Sequence, residues 1–294
     1  MTAELDLTTV PFLMGLVAGT AGRYLMLQTD YRRYPGYPHG YVAHLALGFI
    51  ASTLGALAVP ALAEKQYTAA TFLVLAAQQF RDIRKMEHDT LLELDENALV
   101  RRGKDYVDGI AKVFEARNYL VIGVALFTSL GTRLLGVPGG VAAALASGYL
   151  SLRLMSGRQV GQIVQVKAGE VRFEGPDLFV GPVQIMNVAL AESKKALLEH
   201  SLGVILEPKD RQGREILADP GQRQAILHDA AAAVGIRRDV DNVDFTPLAR
   251  RDLETGAVAL FIPAMDANSE VLLQTVRRVP VLETARGGLP AQKA

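Results

Sequence analysis

The side chains able to do chemistry are few and scattered. The chain has no Cys among its 294 residues, which excludes a disulfide framework, a thiolate metal site and a cysteine nucleophile. His39 and His44 flank the start of an apolar stretch and could ligate a metal, but no carboxylate or third ligand stands beside them. His88 and Asp89, with Asp30 and His39, come nearest to an acid–base set. An adjacent His–Asp pair is too common to specify a reaction, because a general base is defined by its reach to a substrate proton. His200 and His228 fall on predicted helices without a partner at ligand spacing. Asp239, Asp241 and Asp244 form an acidic cluster that lacks the glycine and terminal Glu of a calcium-binding loop, and it reads as a solvated turn. No GxxxxGK[ST], HExxH or GxSxG motif occurs, and Gly-Gly at 139–140 and 287–288 are isolated pairs rather than phosphate cradles. The expectation is no catalytic, cofactor-binding or metal site.

Two ionisable residues stand apart because of what surrounds them. Arg23 and Arg133 lie within or beside apolar stretches, where a charge is costly and marks a candidate intramembrane polar site. Both fall near stretch ends, so snorkelling to an interface is the favoured reading.

Five apolar stretches, 8–27, 42–63, 67–80, 119–136 and 139–155, make an integral membrane protein the primary reading. A hydrocarbon core of about 30 Å takes about 20 helical residues, and the first two stretches meet that. The third is short and is read as continuing beyond the bilayer. The last two are separated by Gly136-Val137-Pro138 and read as a tight helical hairpin, with a re-entrant pair as the alternative. Residues 1–7 carry two acids and no base, unlike a signal peptide, so the first stretch is read as a retained span. Arg32, Arg33, the basic-rich loop 81–118, Arg153 and Arg158 alternate with sides that carry only Lys65 and Arg133. Positive residues favour the cytoplasm, which puts the N-terminus outside and the C-terminal part inside a bacterial cell membrane. The lipid bilayer is thus the first expected partner. Equal numbers of basic and acidic residues, 31 each, argue against nucleic acid.

Gly15 and Gly19, Ala18 and Gly22, Gly48 and Ser52, and the row Gly140, Ala144, Gly148 place small residues four apart. Such rows let helices approach closely, in a bundle or in a homo-oligomer seam. The loop from Asp30 to Tyr41, with four tyrosines, two prolines and two glycines, reads as an irregular interfacial segment.

Loop 81–118 reads as mostly helical. Residues 81–94 continue the third stretch, Gly103 stops a helix, and Asp105 caps the next. Val107, Ile110, Ala111 and Phe114 then share one face of an amphipathic helix, with Asp108, Lys112 and Glu115 on the other. Gly109 weakens this helix by about 1 kcal/mol relative to Ala, which suggests a close backbone approach.

Tyr-Val-Asp-Gly-Ile-Ala at 106–111, followed by Lys-Val-Phe-Glu-Ala-Arg-Asn-Tyr-Leu, resembles the signature of the YIEGIA family, which is named for its hexapeptide. Val107 stands for Ile and Asp108 for Glu. The layout, several N-terminal spans before a C-terminal part, is also similar. The resemblance implies a bacterial membrane protein, mainly of endospore formers, linked to a small soluble protein described as the capping subunit of a complex. It brings no catalytic residues. Tyr106, Val107, Asp108, Gly109, Ile110, Ala111 and Phe114 are the candidate partner or packing surface.

After Met155 the pattern changes to short strands and helices. Strands around 164–166 and 171–173 read as a hairpin, and those at 178–180 and 183–185 as another about Gly181-Pro182. Helices at 188–201, after Asp219-Pro220 and near 268–275, a strand at 204–206, a buried strand at 258–262 and a possible strand near 278–283 complete it. The fold class is a multi-span α-helical membrane bundle of about five spans followed by a cytoplasmic α+β domain. The domains are 1–155, including the cytoplasmic loop 81–118, then 156–284, with 285–294 read as a disordered tail.

The functional reading is a non-enzymatic membrane scaffold or assembly subunit whose cytoplasmic face recruits a small soluble protein. The alternatives are an oligomeric small transporter or channel and a membrane-embedded enzyme. Transport needs polar groups along a path, and Thr20, Thr53, Gln78, Gln79, Thr128 and Ser129 are few.

Overall fold

The computed structural model describes residues 2–30, 38–98, 100–155, 157–237 and 245–286. The tyrosine-rich segment 31–37 with Arg32 and Arg33, the aspartate cluster 239–244, the tail from Gly287, and the side chains of Asp30 and His39 lie outside that set. The chain divides into two compact units. One comprises Met1–Leu91 and Ile110–Ser156, and the other Leu92–Gly109 and Gly157–Ala294. Segment 92–109 therefore groups with the C-terminal unit, whereas the sequence reading kept all of 81–118 with the helical one.

The helical unit holds α1 (Thr2–Asp30), α2 (Pro38–Ala63), α3 (Tyr67–Gln78), most of α4 (Phe80–Glu96) and α5 (Lys104–Met155) from Ile110 on. Three helices, Thr8–Gln28, Gly40–Ala63 and Lys104–Met155, are long and apolar enough to cross a membrane. With 12 residues, α3 reaches only about 18 Å at 1.5 Å per residue and buries none of its side chains. A single turn residue, Gln79, separates it from α4.

α5 reverses direction part-way along its length. Gly136 adopts φ 70 and ψ −170, in the region glycine alone enters freely. Beyond it the chain folds back. A Cβ built on Gly131 would lie 2.8 Å from both the Ala143 Cβ and the Gly139 carbonyl oxygen, and one on Gly140 would collide with Thr132 Oγ1. Met155 returns to the level of Val121 in a core with Met26, Ala51 and Phe80.

Small residues set the approach of α1, α2 and α5. A Cβ on Gly15 would sit 2.6 Å from the Ala125 carbonyl oxygen and 3.0 Å from the Ala56 Cβ, and one on Gly19 2.6 Å from Ser52 Oγ. A Cβ on Gly55 would overlap the Ile122 carbonyl. Of the rows read from sequence, Gly15, Gly19, Gly48 and Gly140 sit at such approaches, while Gly148 meets open space.

The C-terminal unit has three layers. A four-stranded antiparallel sheet, ordered β1 (Val164–Gly169), β5 (Ser201–Pro208), β7 (Val258–Pro263), β6 (Leu248–Arg251), forms the middle. A smaller sheet, β2 (Val171–Glu174), β3 (Asp177–Val180), β4 (Val183–Asn187), covers one face together with α7 (Ala191–His200). The helices α8 (Arg211–Ala218), α9 (Pro220–Val234) and α10 (Ser269–Arg278), with the single turn α6 (Val160–Ile163), cover the other. Strand alternation assigns the layers: Ile205, Ala259 and Phe261 meet the small sheet, leaving Val204, Leu206, Val258, Leu260 and Ile262 for the helices. Every residue of β7 is buried, as a central strand covered on both faces requires.

Several local expectations change. β1 and β2 do not form a hairpin; β1 pairs with β5 and β2 with β3, in different sheets. The hairpin about Gly181-Pro182 forms as β3–β4. Asp219 caps α9, accepting the Gln222 N–H at 2.7 Å. The segment before it is a further helix, α8, capped by Asp210. The region near 278–283 contributes one isolated bridge, Gln159 to Pro280, rather than a strand.

Phe261→Ala should lower the unfolding free energy of the C-terminal unit by about 3–5 kcal/mol, the range for emptying an aromatic core site. The exposed Leu253→Ala should change it by less than about 0.5 kcal/mol. Hydrogen-exchange protection of β5 and β7 in the full chain measures both.

Candidate functional site

The buried polar groups of interest form two clusters, each within its own unit. In the helical unit the cluster begins with Arg23, whose side chain is fully buried, 0% exposed. Its stem lies against Gly48 on α2, where a Cβ would come within 2.8 Å of the Arg23 Cβ. Its guanidinium stands 5.7 Å from the centre of the Phe114 ring, within cation–π range. Arg23 Nη2 is 3.2 Å from His44 Nδ1, and His44 Nε2 is 3.4 Å from Glu87 Oε1. A guanidinium only donates. His44 Nδ1 therefore accepts, the imidazole proton resides on Nε2, and Nε2 donates to Glu87. The His44 ring also lies 4.8 Å from that of Phe114.

These contacts tie α1, α2, α4 and α5 together at one level. Near them Arg84 donates to Glu115 Oε2 at 3.1 Å. Arg117 and Asn118 are buried, and Asn118 Oδ1 accepts no hydrogen bond among the described residues. The structure thus places Arg23 inside the unit instead of letting it snorkel outward. Arg133 is half-buried near the α5 reversal and does not join the cluster. Glu87, Arg117 and Asn118 escaped the sequence reading. Only Glu87 carried a signal, a carboxylate on an otherwise well-patterned helix, and nothing in its spacing named His44 as its partner.

Further along the same unit the hydroxyls are satisfied locally. Ser52 donates to the Gly48 carbonyl at 2.7 Å, Ser129 to Ala56 at 3.2 Å, Thr128 to Val124 at 2.7 Å and Thr132 to Thr128 at 2.8 Å.

The second cluster lies in the C-terminal unit and contains the first part of the hexapeptide. Asp95, buried, accepts the backbone N–H of Arg102 at 2.6 Å and of Gly103 at 2.9 Å. Gly103 takes φ +80 and directly precedes α5, so it starts a helix rather than stopping one, and Asp105 sits in the first turn. The Tyr106 N–H reaches Gln224 Oε1 on α9 at 3.2 Å, and its ring lies 6.2 Å from that of His228. Gly109 lies close to Thr284 and Leu282; an added Cβ would stand 3.3 Å from Thr284 Oγ1. Tyr106, Val107, Ile110, Ala111 and Phe114 are all buried, and Asp108 is half-buried. The apolar face of this helix is thus covered by the chain itself.

His228 belongs to this cluster. Burial, and after it the nearby Arg102 charge, push its pKa below the ordinary histidine value. Its Nδ1 is buried without a hydrogen bond among the described residues. Half-buried His88 lies 3.1 Å from its exposed neighbour Asp89, and His200 lies near Glu199 at 3.9 Å. Among the described residues no group of three His, Asp or Glu side chains could hold a metal ion.

Two outcomes follow. His44→Ala removes the acceptor facing Arg23 and should cost about 1–3 kcal/mol, with His44→Gln recovering part of it; unfolding in bicelles measures the loss. For His228, the folded pKa is depressed, so its stabilising share is present above the ordinary value near 6.5 and is lost as pH falls below it. Acidification from pH 7.5 to 5 should weaken protection of segment 100–106 against hydrogen exchange, and His228→Gln should flatten that dependence.

The chain matches the YIEGIA protein family over residues 11–290. It is 45% identical over 275 residues to the uncharacterized protein YphB of Bacillus subtilis (strain 168), a match covering 94% of this chain and 93% of that one. No solved structure matches it. A match of this extent, together with the hexapeptide at 106–111, makes the chain a member of the YIEGIA family.

Proposed function

We propose that the protein is a non-enzymatic membrane scaffold or assembly subunit. Its helical unit is the anchor, crossing the bilayer about five times with the N-terminus outside. Its C-terminal unit stands in the cytoplasm and recruits a small soluble protein, in the setting of sporulation that the family resemblance implies.

One observation carries the anchor role. The backbones of α1, α2 and α5 approach so closely at Gly15, Gly19 and Gly55 that a single methyl group would overlap a neighbour. The hydroxyls at that level bond to helix carbonyls within the unit. That arrangement suits a packed bundle better than a conduit through one chain. The excess of bases on alternate sides supports the orientation.

The burial of Ile110 and its neighbours moves the recruiting surface elsewhere. Leu190 and Leu198, at and on α7, are 70% and 51% exposed. They are two exposed apolar positions on one element of the C-terminal unit, and they are taken as the partner contact because a charge placed there does not disturb the core.

A second reading, an oligomeric transporter or channel, is favoured by the buried Arg23–His44–Glu87 chain, because ionisable groups inside such bundles commonly serve ion or proton movement. A stoichiometric small soluble protein should co-purify in mild detergent and be lost from Leu190→Asp/Leu198→Asp. Its absence from the wild-type preparation, or ion flux into liposomes carrying the purified chain and lost in Glu87→Gln, overturns the scaffold reading in favour of the second.

A further inference from the structure

Two arginines in the C-terminal unit stand on one face with no ion-paired carboxylate among the described residues. Arg251 ends β6, paired in register with Val258 of β7. Its neighbour Arg250 turns to the opposite face and donates to the Ile185 carbonyl of β4 at 3.0 Å. Alternation therefore puts Arg251 on the helix-covered face, where α9 packs on β6. Arg223 comes from the first turns of α9. Its Nη1 donates to the carbonyls of Leu217 at 2.9 Å and Ala218 at 2.7 Å, at the end of α8. Neither arginine has a carboxylate within ion-pair distance among the described residues, and Arg251 Nε is buried without a hydrogen bond.

The two charges oppose each other. Burial first, and then the Arg251 charge, push the pKa of Arg223 down, while Asp219 and Asp105 pull it up. Asp219 is already engaged as the α9 cap, accepting the Gln222 N–H. A cation pair of this kind is a cost to the folded unit; the α8 carbonyls account for Arg223, whereas Arg251 Nε is buried with no acceptor among the described residues. The turn after β6 also borders a cleft of about 480 Å³, lined by Glu207 and Asp210 as well as Lys209, Arg214 and Thr255, and by neither Arg223 nor Arg251. Arg214 lies along Gly256 in that turn, with no hydrogen bond or ion pair of its side chain among the described residues.

We propose that Arg223 and Arg251 form a binding site for a phosphoryl oxyanion. Guanidinium forks match the paired oxygens of a phosphate, and a group carrying close to two negative charges would offset both cations while accepting from Arg251 Nε. The ligand is a phosphate group, either of a free phosphate compound or of an anionic lipid head.

The full chain in maltoside micelles, free of phosphate, is titrated with inorganic phosphate by calorimetry and thermal unfolding, and in parallel with dihexanoyl phosphatidate. Saturable binding is expected in the wild type, weakened at least ten-fold in Arg251→Met. Arg251→Lys, which keeps the charge and stem but not the fork, should fall between them. It also serves if Arg251→Met fails to fold. Without ligand, Arg251→Met should unfold at a higher temperature than the wild type, because the repulsion is gone. Response to phosphatidate alone places the ligand in the lipid; response to both places it in solution. No saturable response to either ligand, or wild-type affinity in the Arg251 variants, overturns the site.

Discussion

Arg23 sets the terms for its end of the helical unit. A buried guanidinium is tolerated only where its surroundings supply acceptors and a polarisable face. Gly48 leaves room for its stem, Phe114 supplies the ring, and His44 supplies the acceptor and passes the contact to Glu87. Four helices are thereby held in one arrangement by a group that none of them could bury alone. The apolar core beside it, Met26, Ala51, Phe80, Val121 and Met155, fills the remaining space.

In the C-terminal unit β7 has the comparable role. With both faces buried it can be apolar throughout, and it requires a layer on each side. The small sheet and the helices meet that demand from chain segments on either side of it in sequence, which is why the strand order crosses from β1 to β5 before reaching β7.

Much of this was legible from the residues. The apolar stretches gave the long helices, Asp219-Pro220 gave the start of α9, and Val258 to Ile262 gave the central strand. The spacing of Val107, Ile110, Ala111 and Phe114 identified a face that is buried. What was not legible was pairing over distance. Alternation at 164–173 shows two strands but not that each bonds elsewhere, because the ladder partner leaves no mark on a strand's own period. Glu87 and His44 likewise carry no trace of each other, and neither do Arg223 and Arg251, which lie on different elements brought together by the sheet.

The reversal at Gly136 limits how this chain can vary in evolution. The two limbs of α5 meet through matched small residues, Gly131 with Ala143 and Thr132 with Gly140. One residue added to either limb would turn everything beyond it by about 100°, the rotation per residue of a 3.6-residue helix. It would set larger side chains against each other at a spacing that admits none. An insertion or deletion within this pair of limbs would therefore break their packing, and the chain length from Val121 to Met155 is set by geometry as much as by composition.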